Sequence, residues 1–222
     1  NSPEGLKAPN YNVVNASDSQ DENKSYNTGG SLTFYVNGFL PERDYLGNEE
    51  RDQHAQNDPE QNGEKMHEED STIHSGENYW GSIDEKLEER FTGKEPNADS
   101  TFYFDGSAGP LSSAKDRMEY GENAALMIIR QVEAGVFQLD ENGLLPDVIN
   151  IVGHSMGAAY AAGLANGLLE YNSTQGKQVF NVRAVYYFAP HQPIDIQHPS
   201  EARGVQYSHK NDSVTSDGNS KN

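Results

Sequence analysis

The sequence contains no cysteine, which excludes disulfide bonds, thiolate metal sites and a cysteine nucleophile. No apolar run reaches the roughly 18 residues that a transmembrane helix needs, so no integral membrane segment is predicted. Basic residues are few, because 16 Lys and Arg stand against 35 Asp and Glu, for a formal net charge of −19. This excess of acid disfavours nucleic acids and anionic membrane surfaces as partners.

Apolar residues are also scarce. Only 34% of the chain is hydrophobic, so polar segments must accompany the packed core. Residues 1–30 are predicted to form a polar lead-in, and residues 41–78 an acidic insertion with 12 acids and three bases. We therefore predict one domain over residues 31–214, interrupted by that insertion, and a polar tail over residues 215–222.

Five short apolar runs predict strands, at residues 31–38, 101–105, 148–152, 182–189 and 204–209. The runs are continuous rather than alternating, which favours a parallel sheet buried on both faces. Helical spacing separates them at about 113–136 and at 156–170, and a capping box at Ser82–Glu85 predicts another helix with the apolar face Ile83, Leu87 and Phe91. This alternation predicts an α/β fold with a mostly parallel sheet and flanking helices.

The third predicted strand runs directly into Gly153-His154-Ser155-Met156-Gly157, which matches the G-x-S-x-G nucleophile elbow. The pentapeptide alone is weak, but a buried strand precedes it and a helix rich in Ala and Gly follows it. In such an elbow a strained turn lifts the serine hydroxyl clear of the sheet, where a base can reach it. Ser155 is therefore the predicted nucleophile.

An oxyanion hole needs backbone N–H donors that face the reacting carbonyl. Met156 directly follows the nucleophile and supplies one predicted donor. The second is expected from the loop after the first strand, and we assign it to Phe39 because Gly38 permits the sharp turn that aims its N–H inward. No metal and no cofactor is required by this chemistry.

The acid and the base are harder to assign, because hydrolases of this kind place Ser, then Asp or Glu, then His along the chain. We prefer Asp212 as the acid, since it follows the last strand, yet all seven histidines precede it. Either the given chain stops before the catalytic histidine, or the set is Ser155, Asp195 and His209, or the protein has no triad and no turnover. All three alternatives stay open.

These motifs resemble the α/β-hydrolase lipases, particularly the class 3 triacylglycerol lipases, over roughly residues 31–40 and 101–214. That family has GHSLG followed by small residues where this chain has GHSMGAAYAAGLA, and an F-G-x-P-like run where it has VYYFAPHQP. An N-D-x-V-like run matches YSHKNDSV, and the resemblance carries the acid role onto Asp212. The chain departs from the family in lacking a histidine after that aspartate, which suggests an α/β-hydrolase-like domain truncated at its C-terminal end.

The resemblance implies a serine hydrolase that cleaves a lipid or acyl ester through an acyl-enzyme. The alternatives are a non-catalytic α/β-hydrolase-like binding domain and a lipase-like domain of a larger secreted protein. Acyl-chain specificity and oligomeric state stay open, as does the choice among lipase, esterase, thioesterase and acyltransferase. A secreted or cell-surface location is slightly favoured over the cytoplasm.

Overall fold

The computed structural model describes residues 30–38, 77–94, 100–106 and 112–208, and at 14–15 and 77–78 the backbone only. The strands are β1 Val14–Asn15, β2 Ser31–Val36, β3 Thr101–Phe104, β4 Val148–His154, β5 Asn181–Phe188 and β6 Arg203–Tyr207. The helices are α1 Glu77–Trp80, α2 Ile83–Thr92, α3 Ala114–Glu133 and α4 Gly157–Gln175, with a 3-10 turn at Pro193–Asp195. Most of the predicted lead-in, insertion and tail lies outside the described residues.

The strands form one sheet in the order β1-β3-β2-β4-β5-β6. Strands β2 to β6 are mutually parallel, and only the two-residue β1 runs antiparallel to its neighbour β3. The predicted α/β fold with a mostly parallel sheet is therefore confirmed. Since parallel strands end at one edge, the segments that follow β2, β3, β4, β5 and β6 all leave the sheet on the same side.

Helices α3 and α4 pack together against one face of the sheet, where most of the apolar core lies. Their backbones touch, because a Cβ on Gly163 would lie 1.9 Å from the Met118 carbonyl oxygen and one on Gly121 would lie 2.0 Å from that of Tyr160. The small residues of α4 thus serve close helix packing. Helix α3 begins at Ser113 with a capping box that includes Asp116.

Helix α2 covers the opposite face, where Leu87 and Phe91 of its predicted apolar face are half-buried against the sheet but Ile83 is not. Ile83 is 53% exposed, whereas Asp84 and Glu88 are buried at 1% and 3% exposure. Their partners are tyrosine hydroxyls from the sheet: Tyr103 donates to Asp84 Oδ2 at 2.6 Å and Tyr35 to Glu88 Oε1 at 3.3 Å. The Ser82 side chain makes no capping hydrogen bond, so the predicted capping box is wrong.

Candidate active site

Ser155 sits at the turn between β4 and α4 in a left-handed backbone conformation with φ of 52°. This region is unfavourable for a residue with a side chain, so the surrounding structure must hold it there. The Ser155 N–H donates to the Phe188 carbonyl at 2.9 Å, and the Ser155 carbonyl accepts from the N–H groups of Ala158 at 3.2 Å and His191 at 3.0 Å. The turn is therefore anchored to the end of β5 as well as to its own helix, and the side chain stays half-buried.

The glycines of the G-x-S-x-G motif lie where other backbone segments approach. A Cβ on Gly157 would lie 2.3 Å from the Asn37 carbonyl oxygen, and one on Gly153 would lie 2.7 Å from that of Gly157. The segment after β2 therefore presses directly against the start of α4. The segment after β3 joins them, because a Cβ on Gly106 would lie 2.8 Å from the Gly157 Cα.

The structure brings the end of β2 beside Ser155. A Cβ on Gly38 would lie 2.8 Å from the Ser155 Cβ, so only glycine leaves room for the two segments at this point. Met156 occupies the N-cap of α4, and no backbone carbonyl of the described residues accepts its N–H. Phe39, the second predicted oxyanion donor, lies outside the described residues.

Asn37 and Asp105 join the ends of β2 and β3. The fully buried Asn37 donates from Nδ2 to the Gly38 carbonyl at 3.0 Å and to Asp105 Oδ1 at 3.1 Å. Asp105 directly follows β3, so this polar link ties the ends of the two strands together behind Gly38.

The hydroxyl of Tyr79 is the feature that the sequence did not reveal. The phenol oxygen contacts His154 Nδ1 and lies 2.8 Å from the position that a Cβ on Gly38 would take. The Gly38 backbone N–H also bonds this oxygen, which lowers the pKa of the phenol, but burial outweighs it and leaves that pKa raised. Tyr79 lies just after the predicted acidic insertion, and no motif marks it there as a site residue.

A cleft of about 620 Å³ opens next to this group. Its wall is largely aromatic and apolar, and it includes Tyr79 and His154 from the vicinity of Ser155. The lining residues are Tyr79, Trp80, Ile83, His154, Phe188, Ala189, Gln206, Tyr207 and Ser208. Clefts of this size and character bind small molecules with apolar groups.

The acid and base candidates are only partly described. Asp212 and His209 lie outside the described residues, and Asp195 is exposed in the 3-10 turn after β5. Within the described ranges, no hydrogen bond joins the Asp195 carboxylate to a histidine. His198 is held by the Tyr187 hydroxyl at 2.7 Å and the Ala202 carbonyl at 2.9 Å, so both of its ring nitrogens are engaged.

In the described part of the chain, no group of three or more His, Asp or Glu side chains is arranged to hold a metal ion. None of the described helices is both long enough and apolar enough to cross a membrane. No protein-family model matches the chain, and no curated protein or solved structure is found to be similar to it.

Proposed function

We propose that this chain is a serine hydrolase that cleaves carboxylic esters, of the lipid or acyl type, through an acyl-enzyme. The observation that carries the proposal is the left-handed φ of 52° at Ser155, in a strand-to-helix turn packed against Gly38. A strained non-glycine residue persists only where the structure over-determines it, and such residues cluster at active sites. The strain here falls on the residue that the G-x-S-x-G pattern marks as the nucleophile.

In this mechanism the Ser155 Oγ adds to the ester carbonyl carbon while its proton passes to a histidine. The Met156 N–H, with the Phe39 N–H as its proposed companion, stabilises the negative charge that develops on the carbonyl oxygen. The C–O bond to the leaving alcohol then breaks as the histidine returns the proton to that oxygen, and water releases the acyl group from Ser155. Asp212 is the proposed partner of the histidine, with Asp195 and His209 as the alternative pair.

The lining of the cleft favours an ester that carries an apolar group over an ester that is small and polar. Five of its nine lining side chains are aromatic rings or a large aliphatic group, namely Tyr79, Trp80, Ile83, Phe188 and Tyr207. Burial of apolar surface against such a wall contributes roughly 25 cal/mol per Å².

A non-catalytic binding domain is the second candidate, and one observation favours it. The three histidines of the described residues are His154, bonded to Tyr79, His198, held by Tyr187 and Ala202, and His191, which bonds Ser155 through its backbone N–H. None of the bonds named here joins a histidine ring to the Ser155 hydroxyl, and Ser155 is not among the nine residues that line the cleft.

Labelling with a fluorophosphonate probe separates the two candidates. If the protein is a hydrolase, the probe modifies Ser155 and the wild type hydrolyses p-nitrophenyl acyl esters. The Ser155→Ala variant is then neither labelled nor active, although it unfolds at a similar temperature. Absence of labelling in the full-length wild-type protein would refute the hydrolase proposal and support the binding domain.

A further inference from the structure

We propose that the Tyr79 hydroxyl is a further catalytic group that donates a hydrogen bond to the carbonyl oxygen of the substrate. This inference rests on the proposed function, because it concerns the oxyanion that forms when Ser155 attacks. Its basis is the position of the phenol oxygen in the space above Gly38 that also contains the Ser155 side chain.

The position follows from two short distances to one point. A Cβ on Gly38 would lie 2.8 Å from the Ser155 Cβ and 2.8 Å from the Tyr79 hydroxyl oxygen. The phenol oxygen and the Ser155 Cβ therefore lie beside the same point, together with the His154 carbonyl oxygen at 2.9 Å. A carbonyl carbon that bonds Ser155 Oγ is two bonds from this Cβ, so its oxygen can come within hydrogen-bonding reach of the phenol.

The phenol is held there by partners on both sides. Its oxygen contacts His154 Nδ1 and accepts the Gly38 N–H. Its ring packs edge-on against Trp80 with a centroid separation of 5.6 Å, and lies 5.7 Å from the His154 ring. A donor that is fixed before the substrate arrives needs little reorganisation, which is the property that makes oxyanion donors effective.

The protonation state suits a donor rather than a base. Burial keeps the pKa of Tyr79 above its usual range, so the hydroxyl retains its proton at neutral pH. In the absence of substrate that proton is available to His154 Nδ1. When the carbonyl oxygen gains negative charge it becomes the stronger acceptor, and the O–H turns to it while the Gly38 N–H continues to support the phenol oxygen.

The test compares Tyr79→Phe with Tyr171→Phe in the full-length protein. Partial burial and Glu133 raise the pKa of the Tyr171 phenol, which donates a hydrogen bond to Glu133 at 3.2 Å. Tyr171 lies 16 residues along the chain from Ser155, roughly 24 Å on helical geometry. Tyr79→Phe is expected to lower kcat for a p-nitrophenyl ester by about 10²–10³-fold with KM within about twofold. Tyr171→Phe is expected to keep the wild-type kcat.

A second variant protects the test against a fold defect in Tyr79→Phe. Replacement of Tyr79 with 3-fluorotyrosine keeps the hydroxyl and the shape of the ring but makes the phenol more acidic. We expect this variant to keep its kcat at neutral pH. At alkaline pH its kcat should fall as the phenol loses the donor proton, and the fall should begin at a lower pH than in the wild type. A pH profile identical to that of the wild type would refute the donor role.

The remaining outcomes separate this inference from the proposed function. Wild-type protein that neither reacts with a fluorophosphonate nor hydrolyses esters would refute the hydrolase itself. Wild-type protein that reacts, together with Tyr79→Phe of unchanged kcat, would refute only the donor role. A rise in kcat in Tyr79→Phe would also overturn it, because the hydroxyl would then obstruct the site in which it lies.

Discussion

The backbone strain at Ser155 predicts that two substitutions which both remove the hydroxyl differ in stability. Replacement of Ser155 by glycine should stabilise the protein relative to replacement by alanine, although both changes remove the hydroxyl and should abolish turnover. The reason is the φ of 52°, which alanine must keep with a Cβ and glycine adopts freely.

The magnitude follows from two opposing terms. The left-handed conformation costs an L-residue roughly 1–2 kcal/mol, and glycine removes that cost. Glycine also gains more freedom in the unfolded chain, which lowers stability by about 0.4–1 kcal/mol. The net difference in the free energy of unfolding is about 0.5–1 kcal/mol in favour of Ser155→Gly, or a midpoint roughly 1–4 °C higher for a domain of this size.

Thermal and urea unfolding of Ser155→Gly and Ser155→Ala, followed by circular dichroism, measure this difference. Ala158→Gly provides the matched control three residues along, because Ala158 is fully buried within α4, where glycine costs about 1 kcal/mol. If Ser155→Gly were equal to or less stable than Ser155→Ala, the turn would not be strained at this residue, and the main support for the proposed function would be lost.

Three further substitutions test a contact at the site, the packing of α3 on α4 and the buried carboxyl group of α2. Gly157→Ala would put a Cβ 2.3 Å from the Asn37 carbonyl oxygen, so fluorophosphonate labelling should fall at least about tenfold; unaltered labelling would contradict this contact. Gly163→Ala would put one 1.9 Å from the Met118 carbonyl oxygen, and the separation of α3 from α4 should cost about 1–3 kcal/mol in urea unfolding. Burial raises the pKa of Glu88, so the unfolded chain loses this proton first and stability falls as pH rises above the unfolded pKa. Glu88→Gln should therefore melt at a higher temperature than wild type at about pH 8, with the gain shrinking towards about pH 4; a gain that grew in acid would reverse the sign of the argument.

Strands β2, β3 and β4 were predictable because each is a mainly apolar run that is buried along nearly its whole length, whereas β5 and β6 also carry exposed residues such as Arg183 and Arg203. Val148–His154, for example, differs from its predicted range only by two residues at its end, where the motif itself continues the ladder as far as the pairing of His154 with Phe188. Strand β1 was missed because two residues at the edge of the sheet, within a polar segment, carry no periodic signal.

Helix α2 shows where local amphipathicity fails. The spacing of Ile83, Leu87 and Phe91 predicts an apolar buried face. Leu87 and Phe91 are half-buried against the sheet, but Ile83 is exposed, and the adjacent Asp84 and Glu88 turn fully inward. The sheet surface beneath them presents tyrosine hydroxyls, which satisfy buried carboxyl groups that would otherwise be costly. Such a preference depends on residues distant in sequence, so no pattern within the helix could have revealed it.

The same limit applies to the candidate site, since motif spacing marks Ser155 and Met156 but not Tyr79. Gly38, Gly106 and Gly157 bring the ends of β2, β3 and β4 to one point, and a Cβ on any of them would lie within 3 Å of a neighbouring atom. Gly106 and Gly157 approach neighbouring backbone atoms, and Gly38 approaches the Ser155 and Tyr79 side chains, so this half of the site is closely packed. In the proposed mechanism, the histidine that activates Ser155 approaches the hydroxyl from the segments that follow β5 and β6, whose strands end at the same edge. Ser208, directly after β6, already lines the cleft, so we expect the base to be contributed by the chain beyond it.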